Sequence, residues 1–200
     1  MSQLPLPLTK LIEHLKKLPG VGFKTAEKYA LEMLHWDRAE LEELGSALID
    51  VKEKITFCQT CHCLMDEGCF FCHNPKRNQN IICIIEKPLD VFNFEKTGTF
   101  NGVYHSLGGL LNPLSFKSES ALHIDTLLSR INEQTEELII ALDATLEGEA
   151  TTLLLQEKLQ NHTIVVSRLA YGIPIGSPLN YIDGGTLSRA LSLRSRLIRN

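Results

Sequence analysis

Four cysteines stand in two pairs, Cys58 with Cys61 and Cys69 with Cys72, and seven residues separate the pairs. Each pair is a Cys-x2-Cys knuckle. Two knuckles supply four thiolates, which is the donor set that tetrahedral zinc prefers. Such a set leaves no open coordination position, so the expected role is structural: one zinc per chain, holding a segment too small to build its own core. Gly68, just before the second knuckle, suits a tight turn. Cys63 is out of register with both knuckles. His62 and His73 are available as substitutes, but four thiolates need neither. The alternative is a set of unlinked buried cysteines. Cys83 lies in an apolar run and reads as a small core residue.

A second group lies in the run LPGVGFKTA at residues 18–26. Gly20 and Gly22 permit unusual backbone angles and close approach by another molecule. The amides that open the following helix lack internal acceptors and can hold a phosphate oxygen. Lys24 and Lys28 stand beside them, and Lys16 and Lys17 add local charge. The whole pattern resembles a helix-hairpin-helix, a motif that binds the DNA backbone without reading bases. A plain helical hairpin used for packing or dimerisation is the alternative, and both can hold at once.

The third group is acidic. Glu86 ends the run IIEKP and Asp143 ends IIALD, with Glu147 and Glu149 following. Carboxylates at the carboxyl ends of parallel strands occupy the place where α/β sheets put their sites. The arrangement resembles the Toprim fold of topoisomerases and primases, where a glutamate works with an Asp-x-Asp pair that holds magnesium. Here the triplet is Asp143-Ala144-Thr145, so the second aspartate is missing. A hard-oxygen site that loses a ligand is weakened, although water can fill in. The expectation is a sheet reused for binding.

These groups need elements to position them. Apolar spacing predicts helices over 8–17, 24–34 and 39–51. The second should bury Ala26, Tyr29, Ala30 and Met33. The third should present Leu41, Leu44, Leu48 and Val51 on one face. Strands are expected at 81–86, 138–143 and 163–167, with helices over 123–133, 147–160 and 186–198. Strands alternating with helices argue for a parallel α/β sheet. The domains read as 1–54 helical, 55–77 cysteine module, 78–168 α/β, and 169–200 a Gly- and Pro-rich tail.

The 200 residues are 44% hydrophobic and 22% charged, with a net charge of −4, so any DNA-binding surface must be local. No GxxxxGK[ST] motif is present, which argues against ATP hydrolysis by that route. No secretory signal is visible, and the longest apolar runs fall far short of the roughly 20 residues that span a bilayer. A cytoplasmic protein is expected, and reducing conditions favour metal-bound over disulfide-linked cysteines. Arg189, Arg194, Arg196 and Arg199 make the tail basic. They could bind DNA or an acidic neighbour, or form a solvated helix face.

The order of parts, with GVYHSLGG at 102–109, EGEAT at 147–151, RLAYGIPIG at 168–176 and DGGTLSRAL at 183–191, resembles the bacterial recombination-repair RecR family over essentially the whole chain. The resemblance implies a multi-part α/β fold: a helix-hairpin-helix, a four-cysteine zinc finger, a Toprim-like (Rossmann-like) domain and a swap-prone C-terminal segment. It implies a non-enzymatic mediator that works with RecO and RecF to load RecA onto gapped or single-stranded DNA. A homo-oligomer, dimer or tetrameric ring, would enclose the DNA. Gly20, Gly22, Lys24 and Lys28 would face DNA, and the four cysteines would hold zinc. Glu86, Asp143, Glu147 and Glu149 would be a partner surface or a vestigial magnesium site. The competing readings are a small magnesium-dependent Toprim nuclease or primase-like enzyme, and a zinc-module factor acting on RNA or ribosomes.

Overall fold

The structure is a computed structural model that describes residues 4–112 and 119–195. Arg196, Arg199 and the end of the helix expected over 186–198 lie outside the described residues. The chain forms two compact units, Met1–Ile55 and Thr56–Asn200.

The first unit is helical: α1 (Leu6–Leu15), α2 (Phe23–Glu32), a short 3-10 turn, and α3 (Arg38–Lys54). Leu8 and Ile12 of α1 pack on Ala26 and Ala30 of α2, where small alanines let the helices approach. Tyr29 is exposed rather than buried. The alanines fill the interface, and a ring one position away from Ala30 points off that face. α3 opens with a reciprocal cap, Asp37 accepting from the Glu40 amide and Glu40 accepting from the Asp37 amide. Its apolar stripe exists, but Leu41, Leu48 and Val51 are exposed and the helix buries no residue. Periodicity predicted the stripe, and the helical unit itself leaves Leu41, Leu48 and Val51 uncovered.

The second unit begins with a two-stranded antiparallel ribbon, β1 (Thr56–Phe57) and β2 (Leu64–Met65). The main sheet has four parallel strands: β3 (Asn78–Ile85), β4 (Gly102–Ser106), β5 (Glu137–Ala141) and β6 (Val165–Arg168). Their order is β4-β3-β5-β6. Helices α4 (Val91–Glu95), α5 (Ile124–Arg130) and α6 (Leu146–Leu159) form the crossovers, and α7 (Gly184–Ser192) closes the described chain. The chain leaves β3 to one side for β4 and returns to the other side for β5. The carboxyl end of β3 is therefore a topological switch point.

Alternation divides the sheet into two faces. Ile82, Ile84, Val103, Leu138 and Ile140 face α5 and α6 and pack on Leu127, Leu155 and Leu159. Cys83, Ile85 and Tyr104 face the other way, where Phe71, Val91 and the cysteines cover them. The cysteine module thus shares this layer with the short crossover helix α4. Cys83 is a core residue there, and burial pushes its thiol up to about 12.

β4 was not among the expected strands. Gly102–Ser106 carries only two apolar side chains, Val103 and Tyr104, yet all five residues are buried. α6 starts one residue after its cap, Thr145, whose hydroxyl accepts from the Gly148 amide. A Cβ on Gly148 would meet the Asp143 carbonyl at 1.9 Å, so only glycine lets α6 start this close to the end of β5.

Candidate functional site

The side chains of Cys58, Cys61, Cys69 and Cys72 converge, with all four Sγ atoms within 4.8 Å of one another. Sulfur atoms from opposite knuckles stand 3.5 Å apart (Cys58 and Cys72) and 3.4 Å apart (Cys61 and Cys69). Tetrahedral zinc with bonds of about 2.3 Å places its sulfurs about 3.8 Å apart, so the donor set and its size fit that metal. Disulfides are excluded by the same distances, which exceed the ~2.05 Å of an S–S bond. Cys63 is buried but stands outside the cluster, directing its thiol to the Cys61 carbonyl. The first knuckle turns through the Cys58 amide bonding the Cys63 carbonyl and the His62 amide bonding the Cys58 carbonyl. The left-handed residue of the module is His62, at φ 56°, and Gly68 is not in that region. The left-handed angle thus falls in the first knuckle, and Gly68 lies in an ordinary bend before the second.

His62 adopts that conformation as part of a network. Its ring stacks on His123 with centroids 3.6 Å apart, and its Nε2 meets the Thr126 hydroxyl at 2.9 Å. Thr126 donates to the His123 carbonyl, so His62 must be the donor in that pair. Nε2 of His105 donates to the same carbonyl, and its Nδ1 accepts from Arg130. Both bonds require neutral His105, and burial holds its pKa down at about 3. The Cys61 carbonyl accepts from the Ser106 amide at 2.9 Å, so the first cysteine knuckle is hydrogen-bonded directly to β4. Residue types and spacing gave no sign of this network, because its members lie far apart in the chain.

In the helical unit, α1 ends in a turn closed by the Val21 amide bonding the Leu18 carbonyl. Gly20 has φ +77°, which requires glycine. Gly22 is extended and caps α2 without a side chain. The first amides of α2 therefore keep no side-chain acceptor, and open space lies over Gly22. Lys24 and Lys28 are exposed, and no carboxylate among the described residues pairs with either. Lys16 is different, since Glu13 holds it at 2.8 Å. The hairpin can accept an oxyanion on backbone amides, with cations beside it.

The acidic residues do not converge into a metal-ligand group. Glu86 follows β3 and pairs with Lys87 at 2.9 Å. Asp143 is exposed beyond β5, and Glu147 lies in the first turn of α6. Glu149 is fully engaged: Arg168 grips it with two 2.9 Å bonds, Arg189 donates at 2.7 Å and the Tyr171 hydroxyl at 3.0 Å. Hydrogen bonds from Arg168 and then Arg189 hold its carboxyl below the usual range. Among the described residues, only the cysteines form a group with metal-site geometry. Arg189 serves this knot, and Arg194, just beyond α7, bonds the Leu191 carbonyl. No helix among the described residues is long and apolar enough to cross a membrane.

Comparison with known proteins agrees with this division. Residues 8–52 match the family model "RecR, helix-hairpin-helix", residues 80–170 match "Toprim domain", and residues 172–195 match "RecR, C-terminal". The chain is 48% identical to Recombination protein RecR of Protochlamydia amoebophila, over 96% of this chain and 98% of that one. It is 45% identical to Recombination protein RecR of Chlamydia abortus, covering 98% and 99%. The RecR protein of Chlorobaculum tepidum is 42% identical, covering 94% and 95%.

Proposed function

The chain belongs to the RecR family of recombination proteins, and from that premise we propose that it is a DNA-binding recombination mediator. In this reading it acts in RecF- and RecO-dependent repair and helps load RecA onto gapped or single-stranded DNA. The observation that carries the DNA contact is the hairpin, where Gly20 and Gly22 open a path to the α2 amides beside the unpaired Lys24 and Lys28. One hairpin offers few phosphate contacts. A clamp-like dimer or tetramer multiplies them through effective concentration. The exposed stripe of α3 supports assembly, because an uncovered apolar helix face calls for a partner.

The metal is zinc, one per chain, held by Cys58, Cys61, Cys69 and Cys72. Four thiolates saturate it, so it supplies folding energy and no open position for chemistry. Glu86, Asp143 and Glu147 form the acidic end of the sheet that receives RecO or RecF. Magnesium is not needed there: the Asp-x-Asp pair is incomplete and Glu149 is committed to arginines. The protein is a cytoplasmic binding protein rather than an enzyme.

The test is Lys24→Glu with Lys28→Glu, measured on fluorescent gapped duplex across a salt series. Affinity should fall at least tenfold at low salt, and the salt slope should shrink by about one unit per lost phosphate contact. Helical circular dichroism should be unchanged. Equal affinity and equal slope would overturn the assignment of the hairpin.

A further inference from the structure

After β6 the chain makes one last sheet bond, from the Leu169 amide to the Ile140 carbonyl. From Pro174 to Leu193 the backbone hydrogen bonds are local: Ser177 to Pro174, Tyr181 to Pro178, Ile182 to Leu179, Leu187 to Asp183 and Leu193 to Arg189. α7 buries no residue. Ile175, Leu179, Tyr181, Leu187 and Leu191 are all exposed. Burial therefore does little to hold this segment in place.

Among the described residues, the side-chain hydrogen bonds that join the segment to the rest of its unit end on one group. Tyr171 and Arg189 both donate to Oε1 of Glu149. Arg168, at the end of β6, completes the cluster from the sheet side. The guanidinium carbons of Arg168 and Arg189 each lie 4.4 Å from the Tyr171 ring centre. Two like charges are thus held together by one carboxylate and one aromatic ring. Remove the carboxylate and the arginines repel each other.

We propose that residues 171–192 form an ion-sensitive strap latched by the Glu149 carboxylate. An exposed ion pair is weak, and salt screens it. The latch is therefore strong enough to set the strap in place and weak enough to open without unfolding the sheet. A nine-residue helix has little stability alone, so α7 frays when the strap detaches.

Hydrogen–deuterium exchange of the full chain tests this, comparing wild type with Glu149→Gln at low and high salt. The α7 amides should exchange roughly tenfold faster in the variant at low salt. High salt should bring the wild type and the variant closer together, by screening the ion pair in one and the repulsion between Arg168 and Arg189 in the other. β3 peptides serve as the internal control and should not change. Arg189→Gln opens the latch from the strap side without touching the sheet. It should give the same acceleration, and the double variant should add nothing further. Equal α7 protection in wild type and Arg189→Gln at low salt would overturn the proposal.

Discussion

The two edges of the parallel sheet are finished in opposite ways. At β4, every second residue turns its backbone away from β3, and the three outward carbonyls and one outward amide find partners. Arg77 donates to the Gly102 carbonyl, Arg130 to the Tyr104 carbonyl and His123 to the Ser106 carbonyl, while the Ser106 amide donates to Cys61. At β6, Val165 and Leu169 bond β5, which leaves Val166 and Arg168 facing outward. Among the described residues, none bonds the outward backbone of Val166. An open edge invites pairing with another chain unless it is short or charged. β6 is four residues long and ends in Arg168. One edge is therefore closed by buried bonds and a cysteine knuckle, and the other is kept safe by brevity and charge. The difference teaches where the fold stores its stability.

The sharpest way to break the comparison is to remove the metal from the closed edge. A structural zinc contributes on the order of 10 kcal/mol, comparable with the whole stability of a typical domain. Cys61→Ser should lose the metal, and the second unit should lose cooperative thermal unfolding. The first unit, which shares no core with the cysteines, should keep its helical signal. Cys63→Ala should retain one zinc, because that thiol lies outside the cluster. Elemental analysis with a melting curve reads both, and a Cys61→Ser protein that melts like wild type would mean the knuckle does not hold the edge.

A smaller effect separates the hydrogen bonds of that edge from its metal. His105 is neutral in the fold because burial, together with the positive charge of Arg130, depresses its pKa to about 3. Unfolded, it titrates near 6.5. The unfolded chain thus binds more protons between these values. The contribution of His105 is complete above about pH 6.5 and is lost as pH falls from there towards 3. Urea unfolding of wild type and His105→Gln should show the wild type losing stability faster between pH 7 and 5, approaching about 1.4 kcal/mol per pH unit more. Thiolate protonation affects both proteins alike and cancels in the difference. Parallel pH profiles would remove His105 from the account.

The sequence made the local features of the molecule legible and hid those built from residues far apart in the chain. Cysteine spacing is local, so the four-thiolate cluster could be read directly. The hairpin glycines and the alternation of strands with helices are also local, and the helix-hairpin-helix and the α/β sheet follow from them. β4 escaped because its burial depends on partners elsewhere: His105 and Ser106 look like surface residues until Arg130, His123 and Cys61 are brought to them. The Glu149 cluster joins residues 149, 168, 171 and 189, a spacing that no periodicity reports. On α3 the period of the apolar stripe was correct, but a period says that a face is apolar and not what covers it. Gly68 lies in a bend before the second knuckle without a left-handed angle, while the left-handed residue is His62, a position that composition does not reveal because non-glycine residues enter that region only when something holds them there. The His123 stack holds His62.

The smallest expected effect lies at the open edge, and it is informative because it is small. Val165 is 61% exposed on β6, on the sheet face that the cysteine module covers only near β3 and β4. Its amide bonds the Glu136 carbonyl, a contact that any residue but proline can make. Lysine at this position keeps the backbone bond, lays its stem along the sheet and adds a charge of the kind that guards natural edges. Val165→Lys should change stability by no more than about 0.5 kcal/mol. It should leave zinc content unchanged. If instead it costs several kcal/mol, Val165 must be covered in the working protein, and the open edge would be an interface rather than a finished border. A shift in oligomeric state by light scattering, at unchanged monomer stability, would point the same way.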